Sequence, residues 1–200
     1  MTYTIDPARD GLVVVDVQND FCPGGSLAVP AGDVVVPVLN EYAARFALAG
    51  APVFVTRDWH PATTRHFQAG GGAWPPHCVQ DTEGARFHPD LTMPAGTVVV
   101  SKGMDPEQDA YSAFQGETDD GMPFAAELGE RGVQRLFVGG LATDYCVKAS
   151  VLDALKEGFE VVVLEDAMRP VDVKPGDGDR ALGEMTAAGA RRARLDTVGV

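Results

Sequence analysis

Apolar residues fall into short, nearly continuous runs along the chain, separated by stretches in which they recur every three or four positions. Runs of Val, Leu and Phe without polar alternation are typical of strands that are covered on both faces. Such runs lie at residues 11–17, 52–56, 97–101, 135–139, 160–164 and 193–198. The pattern therefore predicts six strands in the interior of a sheet.

The intervening stretches predict helices. The first helix follows Asp33, its predicted N-cap, and ends at Gly50. Further helices are predicted at residues 123–131, 143–158 and 179–188. Alternating strands and helices indicate a parallel sheet with helices on both sides. We therefore expect an α/β fold of three layers, α/β/α, around a mostly parallel six-stranded sheet, with residues 1–200 forming a single domain.

Two long segments, residues 57–96 and 102–122, show no regular pattern. Irregular segments of this length inside a compact domain are usually functional, because they contribute little packing of their own. In an open parallel sheet, ligands bind beyond the carboxyl ends of the strands. The functional site is therefore expected at that edge.

Four chemically capable residues follow four consecutive predicted strands. They are Asp16, Asp58, Lys102 and Cys146. Taken singly, each has an ordinary explanation: a turn or cap for the aspartates, a surface charge for the lysine and a buried small apolar residue for the cysteine. All four at the ligand-binding edge of one sheet indicate a site.

Cys146 has the surroundings of a nucleophile. A free thiol is mostly protonated at neutral pH, since its pKa is about 8.5. Cys146 lies near a predicted helix start, whose unpaired N–H groups favour an anion. We expect Lys102 to lower the thiol pKa further and Asp16 to take the proton. The backbone N–H groups around Cys146 also suit the oxyanion of an acyl transfer reaction.

A second cluster of polar residues follows the predicted strand at residues 52–56. Asp58, His60, His66 and His77 lie within twenty positions of one another, and three of the four histidines of the chain are among them. A carboxylate with imidazoles is a normal ligand set for Zn²⁺, Mn²⁺ or Fe²⁺, with water in the open positions. The alternative is that these histidines merely pin the loop.

Composition narrows the classes of partner. A net charge of −13 argues against nucleic acid or anionic membrane as the main partner, because binding to phosphate needs clustered Lys and Arg. The chain contains no apolar run long enough to cross a bilayer and begins without a signal-peptide pattern. Three cysteines without framework spacing favour a reduced, cytoplasmic setting.

Several longer motifs carry a resemblance to a known family. In chain order they read VVVDVQNDFCPGGSLAVPAG, TRDWHP, HF, WPPHCVQDTEGARFHPDL, SKG, YSAF and GLATDYCVKASVLDAL. The chain thereby resembles the nicotinamidases (pyrazinamidase/nicotinamidase) of the isochorismatase-like cysteine hydrolase superfamily, over residues 12–157. The resemblance implies the isochorismatase-like, Rossmann-like fold.

The resemblance also implies roles for individual residues. The implied catalytic triad is Asp16, Lys102 and Cys146. The implied metal ligands for one divalent ion (Zn, Fe or Mn) are Asp58, His60 and His77, with His66 as an additional ligand. The implied oxyanion hole consists of the N–H groups of Ala142 and Cys146, with a cis peptide between Leu141 and Ala142. The implied aromatic walls of the substrate pocket are Phe21, Trp74 and Tyr111.

The activity implied by the resemblance is hydrolysis of nicotinamide, and also of pyrazinamide, through a cysteine thioester, as a step of NAD salvage. One alternative is a metal-dependent, carbamoyl or ureido amidase of the same superfamily, whose carbamoyl and ureido members lack the full Asp–His–His set. An isochorismatase would lack Cys146. A further alternative is a non-catalytic ligand-binding protein. The expected partner is a small amide, and the oligomeric state, including a homo-oligomer, is left open.

Overall fold

A computed structural model describes residues 2–200 of the chain. The strands are β1 (Tyr3–Thr4), β2 (Asp10–Val15), β3 (Val53–Asp58), β4 (Val98–Lys102), β5 (Glu117–Thr118), β6 (Arg135–Leu141), β7 (Glu160–Arg169), β8 (Arg191–Ala193) and β9 (Val198–Gly199). The α-helices are α1 (Val35–Ala49), α2 (Phe124–Glu130), α3 (Lys148–Lys156) and α4 (Asp177–Ala187). Within the described residues, no helix combines the length and the apolar character needed to cross a membrane.

The central sheet has seven strands in the order β5-β4-β3-β2-β6-β7-β8. Every neighbouring pair is parallel except β4 and β5, which run antiparallel. Strands β1 and β9 form a separate parallel pair that joins the two ends of the chain. The expected mostly parallel α/β architecture is confirmed.

The buried strand β2 shows why the apolar runs lack polar alternation. All six of its residues are buried, and successive side chains face opposite layers. Leu12 and Val14 pack in the cluster that contains helix α1. Val13 and Val15 pack in the cluster that contains α2, α3 and α4. Helices therefore cover both faces of the sheet, as expected for three layers.

Two expectations about the sheet were wrong. The sheet has seven strands rather than six, because β5 is a two-residue edge strand too short to leave a pattern. The run at residues 193–198 is divided by a 3-10 turn, Leu195–Thr197. The hydroxyl of Thr197 accepts from the backbone N–H of Arg194 and donates to its carbonyl, which competes with strand pairing.

Asp33 is not the N-cap of helix α1. It lies within a 3-10 turn, Gly32–Val34, that runs directly into the helix, and Val34 occupies the cap position without a side-chain bond. The end of α1 is as predicted, since Gly50 adopts the left-handed conformation with φ of 79°.

The carboxyl ends of β2, β3, β4 and β6 open on one side of the sheet. Asp16 directly follows β2, while Asp58 and Lys102 are the last residues of β3 and β4. β6 leads into a π-helical turn, Thr143–Val147, that contains Cys146. The fold thus brings the four predicted residues to one edge.

Candidate active site

Lys102 is the centre of a buried group of charged and nucleophilic side chains. Its Nζ atom lies 2.8 Å from Oδ2 of Asp16 and 3.5 Å from Sγ of Cys146, and it also donates to Oδ1 of Asp58. The ammonium group thus donates to Asp58 and Cys146 and forms an ion pair with Asp16, whose Oδ2 has no hydrogen-bond partner among residues 2–200. The side chain of Lys102 is fully buried, and these contacts compensate for its removal from water.

Asp16 is held in place by a neighbouring strand. The hydroxyl of Thr56, in β3, donates to Oδ1 of Asp16 at 2.6 Å and accepts from the Asp16 backbone N–H at 3.2 Å. Asp16 adopts φ of 48°, which turns the chain sharply out of β2. Nothing in the sequence pattern singled out Thr56, because its hydroxyl faces the site only in the assembled sheet.

Electrostatics at the triad differ from expectation at the thiol. Burial raises the pKa of the Cys146 thiol well above its usual value, Lys102 opposes this shift, and the Asp16 and Asp58 carboxylates reinforce it. Lys102 thus lowers the thiol pKa as expected, but the expected net lowering of that pKa was wrong, since burial and two carboxylates outweigh one ammonium. Burial also raises the pKa of Asp16, with Lys102 opposing. A carboxylate of raised pKa is a better proton acceptor for this thiol.

The segment before Cys146 contains a cis peptide bond between Leu141 and Ala142, as the resemblance implied. Ala142 and Cys146 both line the pocket described below. The hydroxyl of Ser150 donates to the Cys146 carbonyl at 2.7 Å and accepts from the N–H of Ala113 at 2.8 Å. Ser150 therefore ties the turn that carries the cysteine to a neighbouring loop.

The three histidines of the second cluster are brought together. One ring nitrogen of each of His60, His66 and His77 lies within 4.8 Å of those of the other two. The Nδ1 atom of each ring has a partner on the side away from the cluster. Nδ1 of His60 lies 3.0 Å from the Gly103 carbonyl, and Nδ1 of His77 lies 2.8 Å from the Pro75 carbonyl. Nδ1 of His66 lies 2.6 Å from Oδ1 of Asp109. All three partners are acceptors, so each neutral ring carries its proton on Nδ1 and its lone pair on Nε2.

The donor set fits a divalent metal ion. Nε2 of His60 is buried and has no hydrogen-bond partner among residues 2–200. Oδ2 of Asp58 lies 3.7 Å from Nε2 of His60 and 4.0 Å from Nε2 of His77, too far for hydrogen bonds. Burial lowers the pKa of His77 to about 4, which keeps this ring neutral, the form that binds metal. Burial also lowers the pKa of His66.

Asp58 belongs to both groups of side chains. Although burial alone would raise the pKa of its carboxyl, Lys102 and His60 hold that pKa below its ordinary value. Gln18 fixes the backbone of Asp58 by accepting from its N–H and donating to its carbonyl, both at 2.8 Å. Sequence reasoning missed Gln18, although it lies inside the VDVQNDF motif.

A pocket of about 410 Å³, counted with its open mouth, lies above Cys146 and the histidines. Phe21, Trp74 and Tyr111 are all in its wall, as predicted. The indole N–H of Trp74 donates to the hydroxyl of Tyr111 at 2.9 Å, and the Trp74 ring packs edge-on against Tyr145 at 5.1 Å. The lining residues are Phe21, Leu27, Val29, Asp58, His66, Trp74, His77, Tyr111, Ala142, Tyr145, Cys146 and Val171.

Sequence reasoning missed three wall residues, Leu27, Val29 and Val171. Val171 comes from the final forty residues, in which no chemistry was apparent. Val171 reaches the pocket because Oδ1 of Asp144 accepts its backbone N–H at 2.9 Å and Oδ2 accepts that of Asp172 at 3.0 Å.

Comparison with known proteins adds a family to this geometry. Residues 10–196 match the isochorismatase domain. The chain belongs to the isochorismatase family. Since the match includes all seven strands of the central sheet, the family accounts for the architecture as well as for the site motifs.

Individual members of the family are similar over most of their length. The chain is 42% identical over 198 residues to a nicotinamidase of Escherichia coli (strain K12), covering 90% of this chain and 92% of that one. A zinc complex of the pyrazinamidase of Pyrococcus horikoshii superposes with a TM-score of 0.86 at 46% identity, covering 94% and 99%. A nicotinate complex from L. infantum superposes with a TM-score of 0.88 at 34% identity, covering 99% and 98%.

Proposed function

We propose that this protein is a nicotinamidase, which hydrolyses the carboxamide of nicotinamide to nicotinate and ammonia and also accepts pyrazinamide. The observation that carries the proposal is the placement of a buried Asp16–Lys102–Cys146 group beneath an aromatic pocket. The names of the relatives and the bound nicotinate and zinc of the similar structures support the same activity.

The pocket suits a flat heteroaromatic amide. Phe21, Trp74 and Tyr111 offer apolar ring faces and edges, while Cys146 lies within the same lining. Ring packing fixes the plane of a pyridine, and the carboxamide is then directed at the sulfur. Holding the reacting groups in this way converts a bimolecular reaction into an effectively unimolecular one.

The first chemical step acylates the enzyme. Asp16 takes the thiol proton as the sulfur of Cys146 attacks the amide carbon, and the carbonyl oxygen becomes an oxyanion held by the N–H groups of Ala142 and Cys146. The protonated Asp16 then delivers its proton to the amide nitrogen as the C–N bond breaks. Ammonia departs and a thioester remains on Cys146.

The second step releases the acid. Asp16 accepts a proton from a water molecule, whose oxygen adds to the thioester carbon, and the C–S bond breaks as the thiol regains a proton. Lys102 stabilises the negative charge that passes between Asp16 and Cys146, since its Nζ atom contacts both side chains. The Cys146 residue thus starts and ends each cycle as a neutral thiol.

One divalent metal ion would be held by Asp58, His60, His66 and His77. When bound, it would supply an electrophilic anchor for the pyridine nitrogen of the substrate, directly or through water. The zinc of the P. horikoshii complex supports a divalent ion of this kind, and Zn, Fe and Mn all suit the ligands. NAD salvage in the cytoplasm remains a proposal that rests on the resemblance of residues 12–157.

An ammonia-release assay tests the proposal. Purified protein is supplied with nicotinamide, pyrazinamide and a panel of ureido and carbamoyl compounds. We expect kcat/KM to be higher for nicotinamide and pyrazinamide than for any ureido or carbamoyl compound of the panel. A higher kcat/KM for a ureido or carbamoyl compound would assign the chain to the other amidases of the family, and no turnover at all would favour a binding protein.

A further inference from the structure

Asp109 differs from the other two groups that engage the histidine cluster. His60 and His77 are each held by a neutral backbone carbonyl, whereas His66 is held by a carboxylate. The side chain of Asp109 is 62% exposed and that of His66 only 4%. An exposed carboxylate loses side-chain entropy and hydration when it stays against a buried ring, so this contact calls for an explanation.

The chain around Asp109 fixes the position of this carboxylate. The side-chain amide of Gln115 donates to the Asp109 carbonyl at 3.2 Å, while its oxygen accepts from the N–H of Tyr111 at 2.9 Å. Nearby, the N–H of Arg65 donates to the carbonyl of Pro106 at 2.8 Å. The Gln115 bonds hold the segment that carries Asp109, and the Arg65 bond joins it to the segment that carries His66.

A carboxylate on Nδ1 affects metal binding through Nε2. The carboxylate keeps the proton on Nδ1, fixes the orientation of the ring and makes Nε2 a stronger electron-pair donor to the metal. The burial of His66 places this ring among like groups: its centroid lies 4.7 Å from that of His60, with the planes 20° apart. Stacking of two rings does not select a tautomer, whereas the Asp109 carboxylate on Nδ1 selects the one that binds metal through Nε2.

We propose that Asp109 is a positioning residue for the metal, which orients His66 and strengthens its bond to a divalent cation. Asp109 is not itself among the residues that line the pocket above Cys146, and it contacts that lining through His66. The proposal rests on the proposed function only in the premise that the histidine cluster holds a divalent cation.

The test is the affinity of metal-free protein for Zn²⁺, measured by competition with a chromophoric chelator. Asp109→Ala should bind Zn²⁺ roughly 10- to 100-fold more weakly. Asp109→Asn should lie between Asp109→Ala and the wild type, because its oxygen still accepts from Nδ1 without the charge. The matched control is Glu107→Gln, because Glu107 lies on the same segment as Asp109, is 64% exposed and forms an ion pair with Arg65. This variant should change the Zn²⁺ affinity by less than about twofold.

A double-mutant cycle with His66→Ala makes the mechanism specific. If Asp109 acts through His66, then Asp109→Ala weakens Zn²⁺ binding in the wild-type background and has no further effect in the His66→Ala background. An equal loss in both backgrounds, or a loss equalled by Glu107→Gln, would overturn the proposal in favour of a general charge effect. Wild-type affinity in Asp109→Ala would overturn it outright.

His77→Ala separates the two proposals. If His77→Ala loses Zn²⁺ while Asp109→Ala retains wild-type affinity, the metal site stands and only the role of Asp109 fails. If His77→Ala binds Zn²⁺ like the wild type, the metal site itself is wrong and the role of Asp109 falls with it. Circular dichroism of each metal-free variant checks folding, and Asp109→Asn decides the question if Asp109→Ala is unfolded.

Discussion

The triad and the histidine cluster lie side by side at one sheet edge, but they are built differently. In the triad, the ammonium of Lys102 contacts Asp16, Asp58 and Cys146, so its charge is compensated within the protein. In the cluster, the outward nitrogens are bonded while Nε2 of His60 has no partner among the described residues. The triad therefore has its own charge compensation, whereas the cluster offers a free lone pair to a cation.

The difference has a structural origin. Asp58 and Lys102 end paired strands and are direct partners in the β3–β4 register. His66 and His77 instead lie on the irregular segment after β3, where Asp109 holds His66 and the Pro75 carbonyl holds His77. Regular hydrogen bonding positions the first group, and local loop contacts position the second.

The largest effect should come from the nucleophile. Cys146→Ala should lower ammonia release from nicotinamide by at least about 10³-fold, because no other nucleophile is in reach of the amide. Zn²⁺ affinity should stay close to that of the wild type, since the histidine cluster does not need the thiol. Cys22→Ala and Cys78→Ala are the controls and should keep most of the activity. Substantial turnover by Cys146→Ala would exclude the covalent mechanism.

Removal of metal is the reciprocal experiment. Dialysis against a chelator should lower kcat/KM for nicotinamide by about 100-fold or more, because the substrate loses the group that orients its ring. Added Zn²⁺ should restore the activity. Iodoacetamide should still alkylate Cys146 in the stripped protein. Elemental analysis checks occupancy, and full activity in a sample of negligible metal content would disprove the need for an ion.

The histidine cluster should also lower the free energy of unfolding at low pH in metal-free protein. Burial lowers the pKa of His77 to about 4, whereas an unfolded histidine titrates near 6.5. The unfolded chain therefore binds a proton first, and the free energy of unfolding should fall as the pH drops from about 6.5 to about 4, by up to about 3 kcal/mol. Urea unfolding of wild type and His77→Asn measures this, and equal pH slopes in the two proteins would contradict it.

The same contrast explains what could be predicted from the sequence. Asp16, Asp58, Lys102 and Cys146 follow consecutive strands, and parallel strands bring their carboxyl ends to one edge, so their proximity follows from the pattern. The convergence of the histidines was expected from ligand chemistry and the family resemblance. The bonds that hold them were not predictable, because the Gly103 carbonyl and Asp109 approach only when two loops fold together.

The errors have the same source. Asp33 was a plausible cap by residue type, yet the chain enters α1 through a 3-10 turn. The pKa of the Cys146 thiol was expected to be lowered because a cation and a helix start were near, but neither pattern reports how deeply the sulfur is buried. Residue types reveal which groups are near one another, and burial decides which charged form they take.

Lys102 touches both groups and tests whether they are separable. Because Lys102 opposes the raised pKa of Cys146, Lys102→Met should reduce the thiolate fraction and slow alkylation by iodoacetamide about tenfold or more at a given pH. Lys148→Met is the matched control, since Lys148 follows the same turn but pairs with Glu184 at 3.2 Å. An alkylation profile identical to that of the wild type would mean that Lys102 does not act on the thiol.

The smallest effect should appear at Ser150, which supports the triad from behind. Ser150→Ala leaves the Cys146 carbonyl and the Ala113 N–H without their shared hydroxyl, at a buried position. Loss of a neutral hydrogen bond costs about 1 kcal/mol, so kcat should fall by roughly fivefold, with KM for nicotinamide less affected, because the sulfur is displaced and the pocket wall is not. Ser150→Thr keeps the hydroxyl and should retain more of kcat than Ser150→Ala. Thr186→Ala provides the matched control, since the Thr186 hydroxyl donates to the carbonyl of Leu182 at 2.9 Å with the same spacing of four residues, on α4. Equal changes in kcat for Ser150→Ala and Thr186→Ala would show that the hydroxyl of Ser150 contributes to folding alone.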